Sequence, residues 1–332
     1  LDYCAVKVPR FELEKFPLPP SAIGSQMRSV GESLALGRTV LESLNKAIRS
    51  IEFGFEGLET INENVDMYLN NAHPLRIFAA YTKIFEQGED IIDEIESITG
   101  FHYFFLYQLL EQVKLDKEIL NNEINKELLL KAKQYGMSDK RIAQLADMSE
   151  ADILFLREQY NIHITPHYVD TCAGEFEALT PYLYNTYGEE SEGEILGEGA
   201  IAILASGPNR IGQGLEFDTC CSLSSLTYKK LNRKTLIINS NPETVSTDYN
   251  TSDRLYIEAL NSETVIEILK HEKIKDVIIQ LGGQTPLNIA KDLKDAGFNI
   301  VGTSLEGITA SEDRAIFKDA IIELGLNQAK NN

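Results

Sequence analysis

The sequence predicts a multi-domain protein of the α and α/β classes: a short α+β segment, then a helical domain, then a Rossmann-like parallel sheet. Three patterns support this prediction. An alternating strand pattern opens the chain, apolar residues recur at helical spacing between about 73 and 162, and short apolar strands alternate with helix-like stretches from Ala200 onward. At 332 residues the chain is long enough for two or three domains with separate cores.

The N-terminal segment is predicted to be one strand followed by one helix. Alternation from Leu1 to Val8 predicts a strand that Pro9 ends, and the proline-rich stretch 16–20 predicts a loop. Apolar residues at helical spacing between Gly31 and Ile51 predict a single amphipathic helix. Because the chain begins inside a strand pattern, we expect it to be a piece of a longer protein.

The stretch from 73 to 162 has almost only helix signals. Glycines at 88 and 100 are predicted to separate successive helices. The third helix, 101–120, carries an unusual set of aromatic residues, Phe101, Tyr103, Phe104, Phe105 and Tyr107. Such an aromatic face is typical either of a packed core or of a subunit interface, and both interpretations stay open here.

Residues 137–159 have the pattern of a helix-turn-helix. Ser138 is a candidate N-cap, and Ser149 with Asp152 forms a capping-box pattern. A DNA-binding unit needs basic side chains at the start of its second helix, where this sequence has Ser-Glu-Ala-Asp. We therefore interpret the stretch as a structural hairpin. The following residues, 163–192, are predicted to be a transition, and 189–198 an exposed connection.

The last part of the chain predicts a parallel sheet with right-handed crossovers. Its strand candidates are 200–205, 235–239, 276–281 and 298–301, and its helix candidates are 217–231, 263–273 and 286–296. Ligands of such sheets bind at the carboxyl ends of the strands. Polar or glycine-rich loops follow three of these strands, at 207–214, 239–244 and 282–286. We therefore predict a functional edge there.

The glycine loop 207–214 lies between an apolar strand and a helix that begins near Glu216. Its glycines permit positive φ angles, and the helix start presents unpaired N–H groups, a combination that often binds a phosphate or a carboxylate. Gln213-Gly214 stands where a P-loop has Lys-Ser/Thr, and Ser206 breaks the dinucleotide fingerprint. The loop is therefore predicted to be either a plain α/β turn or a ligand site of another kind.

Charge and cysteine content narrow the classes of partner. The chain has 31 basic and 51 acidic residues, a formal net charge of -20, which disfavours nucleic acid and anionic membranes. The sequence shows no apolar span of membrane length and no signal-peptide pattern. The four cysteines, Cys4, Cys172, Cys220 and Cys221, have no metal or disulfide spacing, so a reducing, cytoplasmic compartment is expected.

Four segments resemble the preATP-grasp domain that opens the second half of the carbamoyl-phosphate synthase large chain. They are GPNRIGQGLEFD (207–218), NSNPETVSTDYNTSDRLYIE (239–258), QLGGQTPLNIA (280–290) and VGTSLEGITASEDR (301–314). The similarity extends back through VDTCAGEFEA (169–178) to segments that resemble the end of a first ATP-grasp module, KVPRFELEKF (7–16) and QMRSVGESLALGRT (26–39). The helical stretch stands where this family has its oligomerisation domain.

The resemblance implies four regions and a shared reaction. The regions are the end of the first ATP-grasp module, the oligomerisation domain, a linker and the preATP-grasp domain, at 1–57, 58–168, 169–198 and 199–332. The family is a ligase that makes carbamoyl phosphate, for arginine and pyrimidine synthesis, from bicarbonate, ATP and ammonia. A glutamine amidotransferase small subunit delivers the ammonia, and a tunnel links the two phosphorylation sites. The implied cofactors are ATP and Mg²⁺ or Mn²⁺.

The ATP-grasp modules that hold ATP and metal are expected to lie outside this chain. We therefore predict a homo-oligomerising piece that lines part of the tunnel and of the second active site. It is expected to bind no cofactor or metal itself and to be inactive alone. The alternative is a self-contained metabolite- or nucleotide-binding regulatory protein with a Rossmann-like domain. The missing nucleotide fingerprints argue against that alternative.

The resemblance also implies the site residues. Glu216 and Glu243 match acidic residues beside the carbamate path and the second active site. The other implied residues lie on the three loops: Gly207, Arg210, Gln213, Gly214, Asn241, Gln284 and Thr285. Glu216 has a second possible role, because a carboxylate in the first turn of a helix is favoured by the helix dipole. Both roles stay open for Glu216.

Overall fold

The structure, a computed structural model, describes residues 2–15, 23–172, 174–176, 180–188 and 190–329. The proline-rich loop predicted at 16–20 lies outside the described residues, as do parts of the segment 169–178. The described chain forms a two-stranded sheet with one helix, a set of packed helices and a seven-stranded sheet covered by helices. It is thus a mixed α/β protein with a largely parallel sheet.

The N-terminal segment is a hairpin of two antiparallel strands packed on one helix: β1 (Cys4–Phe11), a short 3-10 turn (Leu13–Lys15), β2 (Ser29–Gly37) and α1 (Val40–Ser50). The prediction of one helix from Gly31 is wrong. The helical spacing of Leu34 and Leu41 spans the boundary between β2 and α1, which Thr39 caps. The strand β1 also continues through Pro9, which is tolerated because a strand of a two-stranded pair has an unpaired side.

The helical part follows the predicted breaks closely. It contains α2 (Val65–Asn70), α3 (Arg76–Gln87), α4 (Ile92–Thr99), α5 (Tyr103–Asn121), α6 (Lys126–Gln134), α7 (Asp139–Ala146) and α8 (Glu150–Tyr160). Gly88 and Gly100 end α3 and α4 with positive φ angles, 76° and 72°. Ser138 caps α7, and Ser149 with Asp152 forms the capping box of α8, as predicted. No helix in the described part of the chain is both long and apolar enough to cross a membrane.

The aromatic face of α5 points outward. Leu106, Leu109 and Leu110 of this helix are buried in the helical core. In contrast, four rings remain 41 to 54% exposed: Tyr103, Phe104, Phe105 and Tyr107. The interpretation of these four residues as core is therefore wrong, whereas Phe101 does pack against the core.

The sheet has the strand order β3-β4-β7-β6-β5-β8-β9. Its strands are β3 (Ile164–Tyr168), β4 (Tyr182–Tyr187), β5 (Ile201–Leu204), β6 (Thr235–Ile238), β7 (Arg254–Tyr256), β8 (Asp276–Ile278) and β9 (Asn299–Ile300). All neighbours are parallel except β3 and β4. The accompanying helices are α9 (Leu215–Lys230), α10 (Ser262–Glu272), α11 (Gln284–Asn288), α12 (Ala290–Asp295), α13 (Leu305–Glu312) and α14 (Arg314–Glu323). The four predicted strands and the parallel sheet are confirmed.

The sequence did not predict three strands of this sheet, β3, β4 and β7. β3 and β4 lie in the stretch 163–192, interpreted from sequence as a transition, and β4 falls within the predicted linker. In β4 the buried positions include Asn185 and Thr186, so its sequence lacks an apolar run. β7 has only three residues. The stretch that follows the helices therefore forms one side of the sheet instead of connecting to it.

A buried polar layer lies where α1 meets the sheet. Lys46 Nζ pairs with Glu258 Oε1 at 2.6 Å and donates to the Asn185 carbonyl at 2.8 Å. Glu42, one turn earlier on α1, is 1% exposed and accepts a hydrogen bond from the Arg38 N–H at 2.7 Å. Burial raises the pKa of the Glu42 carboxyl to about 7, although Lys46 opposes the shift. This carboxylate therefore destabilises the fold where it is charged.

Replacing Glu42 with Gln is expected to stabilise the protein at pH 8 and not at pH 4. Because the folded pKa of Glu42 is raised, the folded state binds the extra proton, and stability falls as pH rises from about 4.5 to 7. Glutamine removes this titration and keeps an acceptor for Arg38. Urea denaturation should show a gain of about 1–3 kcal/mol at pH 8. The exposed Glu118→Gln is the control, and an equal change at both pH values for Glu42→Gln would contradict the prediction.

Candidate functional site

The candidate site is the carboxyl edge of the sheet around β5. The chain passes from β5 to β6 on one side, and later returns to β8 on the other side of β5. The gap between β5 and β8 is therefore the topological switch point, where ligands of open α/β sheets bind. The loops 207–214, 239–247 and 282–285 follow β5, β6 and β8. The parallel pairing thus gathers the three loops at one edge.

The loop 207–214 is a tight turn that leads directly into α9. Gly207 and Gly212 have φ angles of 68° and 85°, in the left-handed region that favours glycine. Arg210 and Gln213 exchange backbone hydrogen bonds of 3.1 and 3.0 Å. The Gln213 side chain donates to the Gly282 carbonyl at 3.4 Å, so this loop contacts the loop after β8.

Arg210 joins the glycine loop to two other parts of the chain. Its Nη2 donates to Thr285 Oγ1 at 2.6 Å and to Glu52 Oε2 at 3.0 Å. The Thr285 hydroxyl also donates to Glu52 Oε2, at 3.1 Å. Burial raises the pKa of the Glu52 carboxyl, although Arg210 opposes the shift. Glu52, which sequence reasoning missed, is thus the centre of this cluster.

A second missed carboxylate, Glu12, holds the same loop. Its side chain is 4% exposed, and Oε2 accepts the Ile211 N–H at 3.2 Å and the Lys15 ammonium at 2.8 Å. Burial alone would raise the pKa of Glu12, but the hydrogen bonds from Lys15 and the Ile211 amide hold it below its ordinary value. Glu12 is therefore an anchor for the loop backbone.

The two predicted acidic residues lie apart from this cluster. Glu216 is exposed, and its Oε1 accepts the Gly214 N–H at 3.3 Å, which is a helix-start contact. Glu243 is also exposed and pairs with Lys7 at 2.8 Å, and Lys7 reaches Glu32 at 2.7 Å. The hydrogen bond from Lys7 lowers the pKa of Glu243. Both carboxylates are thus accessible from solvent at the sheet edge.

The remaining predicted residues divide into two groups. Gly207, Arg210 and Thr285 come together around Glu52, and Gly214 directly precedes α9. Asn241 is 3% exposed and uses its side-chain oxygen to accept the Glu243 N–H at 3.0 Å, so it shapes its own loop. Gln284 is exposed and donates to Asn288 at 3.1 Å. It does not join the Arg210 cluster.

Asp218 fixes the loop after β6 to α9. The residue is fully buried, and its Oδ2 accepts the Ser246 N–H at 2.7 Å. Its Oδ1 accepts the Ser246 hydroxyl, which also accepts the Asn239 side-chain amide at 3.0 Å. The sequence contains no clear signal for Asp218, because the buried face of α9 is mostly polar: Asp218, Cys221, Ser222 and Ser225.

A cleft of about 510 Å³ opens beside Arg210, between the N-terminal segment, the α7–α8 hairpin and the sheet. Arg210 and Lys140 are its basic residues. Five acidic residues line it: Glu52, Glu56, Glu150, Glu263 and Asp292. This excess of carboxylates disfavours a polyphosphate ligand in the cleft.

One group of potential metal ligands occurs among the described residues. Oxygen and nitrogen atoms of Glu158, His163 and Glu267 lie within 4.8 Å of one another. However, Arg157 lies 2.9 Å from Glu267, and Lys270 lies 3.5 Å from Glu158. Because both carboxylates already have cationic partners, we assign this group to an ion-pair network.

The fold and the site define a mixed α/β protein whose loops gather at the switch point of a largely parallel sheet. Residues 197–310 match the family model of the carbamoyl phosphate synthase preATP-grasp domain. Residues 32–161 match the model of the carbamoyl-phosphate synthetase large chain, oligomerisation domain. The chain therefore contains two domains of the carbamoyl phosphate synthase large-chain family, which confirms the resemblance.

Relatives named carbamoyl phosphate synthase large chain are similar over nearly the whole chain. The Vibrio cholerae relative is 43% identical over 100% of this chain and 32% of its own length. The Archaeoglobus fulgidus relative is 41% identical over 100% of this chain and 32% of its own length. The Thermotoga maritima relative is 44% identical over 98% of this chain and 30% of its own length. The chain thus spans about a third of the length of these relatives.

Proposed function

We propose that the chain works as the interior part of a carbamoyl-phosphate synthase large chain. The observation that carries this proposal is the match to both domains in order, within a similarity that covers nearly all of the chain. The proposed regions are the end of the first ATP-grasp module (1–57), the oligomerisation domain (58–168) and the preATP-grasp domain (199–332), while the stretch 169–198 contributes the strand β4 to the sheet. The self-contained regulatory protein does not account for this similarity.

The proposed reaction of the whole enzyme is the ligase reaction described above for the family. It would form carbamoyl phosphate in the cytoplasm from bicarbonate, ATP with Mg²⁺ or Mn²⁺, and ammonia from glutamine. A glutamine amidotransferase small subunit would supply the ammonia, and the product would serve arginine and pyrimidine synthesis. The present chain would supply structure around the reaction path instead of the phosphoryl-transfer groups.

The sheet edge is the proposed wall of that path. Carbamate and ammonia are small and reactive, so a route of fixed backbone with a few carboxylates would guide them and exclude bulk water. The loop 207–214, which Glu12 and Glu52 hold, provides such backbone. The exposed carboxylates of Glu216 and Glu243 lie on neighbouring loops of the same edge. Their contacts to Gly214 and Lys7 hold them in place.

The proposed partner of the helical domain is a second copy of the protein. The outward aromatic face of α5 supports this proposal, because exposed Tyr and Phe rings are typical of protein interfaces. An apolar cavity of about 240 Å³ adjoins this face. Phe105, Leu106 and Leu109 of α5 line it together with Val6 and Ile77. Rings of a partner would fit such a surface.

A titration of magnesium ATP into this chain, in the presence of bicarbonate, tests the assignment. Phosphoryl transfer requires metal-holding carboxylates and basic groups on the phosphates, which this proposal assigns to modules outside the chain. We expect no detectable heat of binding from a protein that still melts cooperatively. A full-length large chain under the same conditions is the positive control. Tight stoichiometric binding to this chain would overturn the proposal and identify the loop 207–214 as a nucleotide site.

A further inference from the structure

A buried and a half-buried carboxylate of the N-terminal segment, Glu12 and Glu52, hold adjacent residues of the glycine loop. Glu52 binds the Arg210 side chain, and Glu12 binds the Ile211 backbone N–H. The two are coupled through Arg10, which donates to the Ile51 carbonyl and lies 3.5 Å from Glu12. The loop is thus held by residues 158 and 199 positions earlier in the chain.

The backbone at this contact leaves little freedom. Glu52 itself has a φ angle of 60°, which is uncommon for a residue other than glycine. A Cβ atom at Gly207 would lie 3.0 Å from Glu52 Oε1. A Cβ atom at Gly31 would lie 2.2 Å from the Asn209 carbonyl oxygen, so β2 also presses directly on the loop. The N-terminal segment therefore determines the shape of the loop sterically as well as by hydrogen bonds.

We propose that Glu52 is a positioning residue that fixes Arg210 and thereby the conformation of the loop 207–214. The contact gives the N-terminal segment direct control over a loop in the region that matches the preATP-grasp domain. Its meaning for catalysis rests on the proposed function, in which this loop lines the reaction path. The contact itself is testable without any substrate.

Charged groups surround this contact. Arg210 and Arg10 face the Glu52 carboxylate, and Thr285 donates to it. The other charged groups of the cleft are Glu56, Lys140, Glu150, Glu263 and Asp292. Burial raises the pKa of Glu52, and Arg210 and Thr285 oppose the shift, so these two partners are what favours its charged form.

Hydrogen exchange of the amides in 207–214 tests the proposal on this chain. Glu52→Gln keeps an acceptor but removes a charged hydrogen bond, so we expect the loop to exchange about tenfold faster. Arg210→Met should have a similar effect. The double variant should exchange no faster than either single one, because both changes remove the same contact.

The controls separate positioning from general destabilisation. Asp295→Asn removes an exposed carboxylate that pairs with Lys291 at 2.6 Å, and it should leave the loop unchanged. If Glu52→Gln also speeds exchange in α5, Thr285→Val replaces it, with the same expected non-additivity toward Arg210→Met. Unchanged exchange or multiplying effects would overturn the inference. None of these results would affect the proposed function, which the ATP titration tests separately.

Discussion

Replacing Glu263 with Ala is expected to lower the free energy of unfolding by about 2–4 kcal/mol, because it removes the acceptor of a buried N–H and one of the carboxylates that neutralise two buried cations. Glu263 lies in the first turn of α10, and its Oε2 accepts the Asp139 N–H at 2.8 Å. Its Oε1 accepts from the Lys133 ammonium and lies 3.7 Å from Arg157. Lys133 and Arg157 are each 1% exposed. The carboxylate therefore joins the helical part to the sheet.

Urea denaturation followed by circular dichroism measures this effect. Loss of the shared ion network should also weaken the cooperativity between the helical part and the sheet, and so produce two transitions. Glu111→Ala, which removes an exposed partner of Lys114, is the control and should cost less than about 1 kcal/mol. A Glu263→Ala protein as stable as this control would show that the buried network contributes nothing.

The lowered pKa of Glu263 also predicts that the protein loses folding stability in acid. Burial opposes the charge of Glu263, but Lys133 and Arg157 lower its pKa to about 2. Because the folded pKa lies below the ordinary value of 4.5, the stabilisation is fully present above pH 4.5 and is lost as pH falls toward 2. Glu263→Gln should therefore lose most of its stability deficit near pH 2. A deficit that is constant from pH 7 to pH 2 would contradict this.

Replacing Asp218 with Ala is expected to release the loop 239–247 and to cost about 2–4 kcal/mol, since it leaves buried donors unpaired. The affected donors are the Ser246 N–H, the Ser246 hydroxyl and, through it, the Asn239 amide. Asn241 and the exposed Glu243 lie on the same loop. The expected change is therefore local disorder at the candidate site in addition to a lower melting temperature.

Thermal unfolding and hydrogen exchange together test the role of Asp218. Amides of 239–247 should lose protection more than those of α10, which lies outside the loop. Asp248→Ala is a matched control, since Asp248 is an exposed aspartate next to the same loop, and it should change stability by less than about 0.5 kcal/mol. Equal loss of protection in the loop and in α10 would mean that Asp218 supports the fold as a whole and not this loop.

The sequence predicted those parts of the fold whose signal is local. β5 and β6 are continuous apolar runs buried on both faces, so their composition alone indicates them. β2 carries a misleading helical spacing, and only its pairing with β1 makes it a strand. β7 is a strand because it pairs with β4 and β6. Its three residues are too few to show a hydrophobic periodicity. Long-range pairing, which one sequence does not show, determined these elements.

The residues of the candidate site also differ in whether the local sequence marks them. Arg210 and Thr285 were predicted because they lie on distinctive loops at strand ends. Glu52 was missed because an acidic residue just after a helix usually faces solvent, and its partners lie 158 and 233 positions away. The substrate roles of Glu216 and Glu243 stay predictions, and the helix-start contact of Glu216 is what the structure adds to them.

The long-range contacts of the N-terminal hairpin affect the order in which the chain folds during synthesis on the ribosome. Glu52 meets Thr285 across 233 residues, and Lys7 meets Glu243 across 236. At ribosomal rates of about 5–20 residues per second, these partners are synthesised roughly 10–50 s after the hairpin. During that interval β1, β2 and the side chains of Glu12 and Glu52 lack these later contacts. A nascent chain stalled before Thr285 should therefore engage chaperones through residues 4–50.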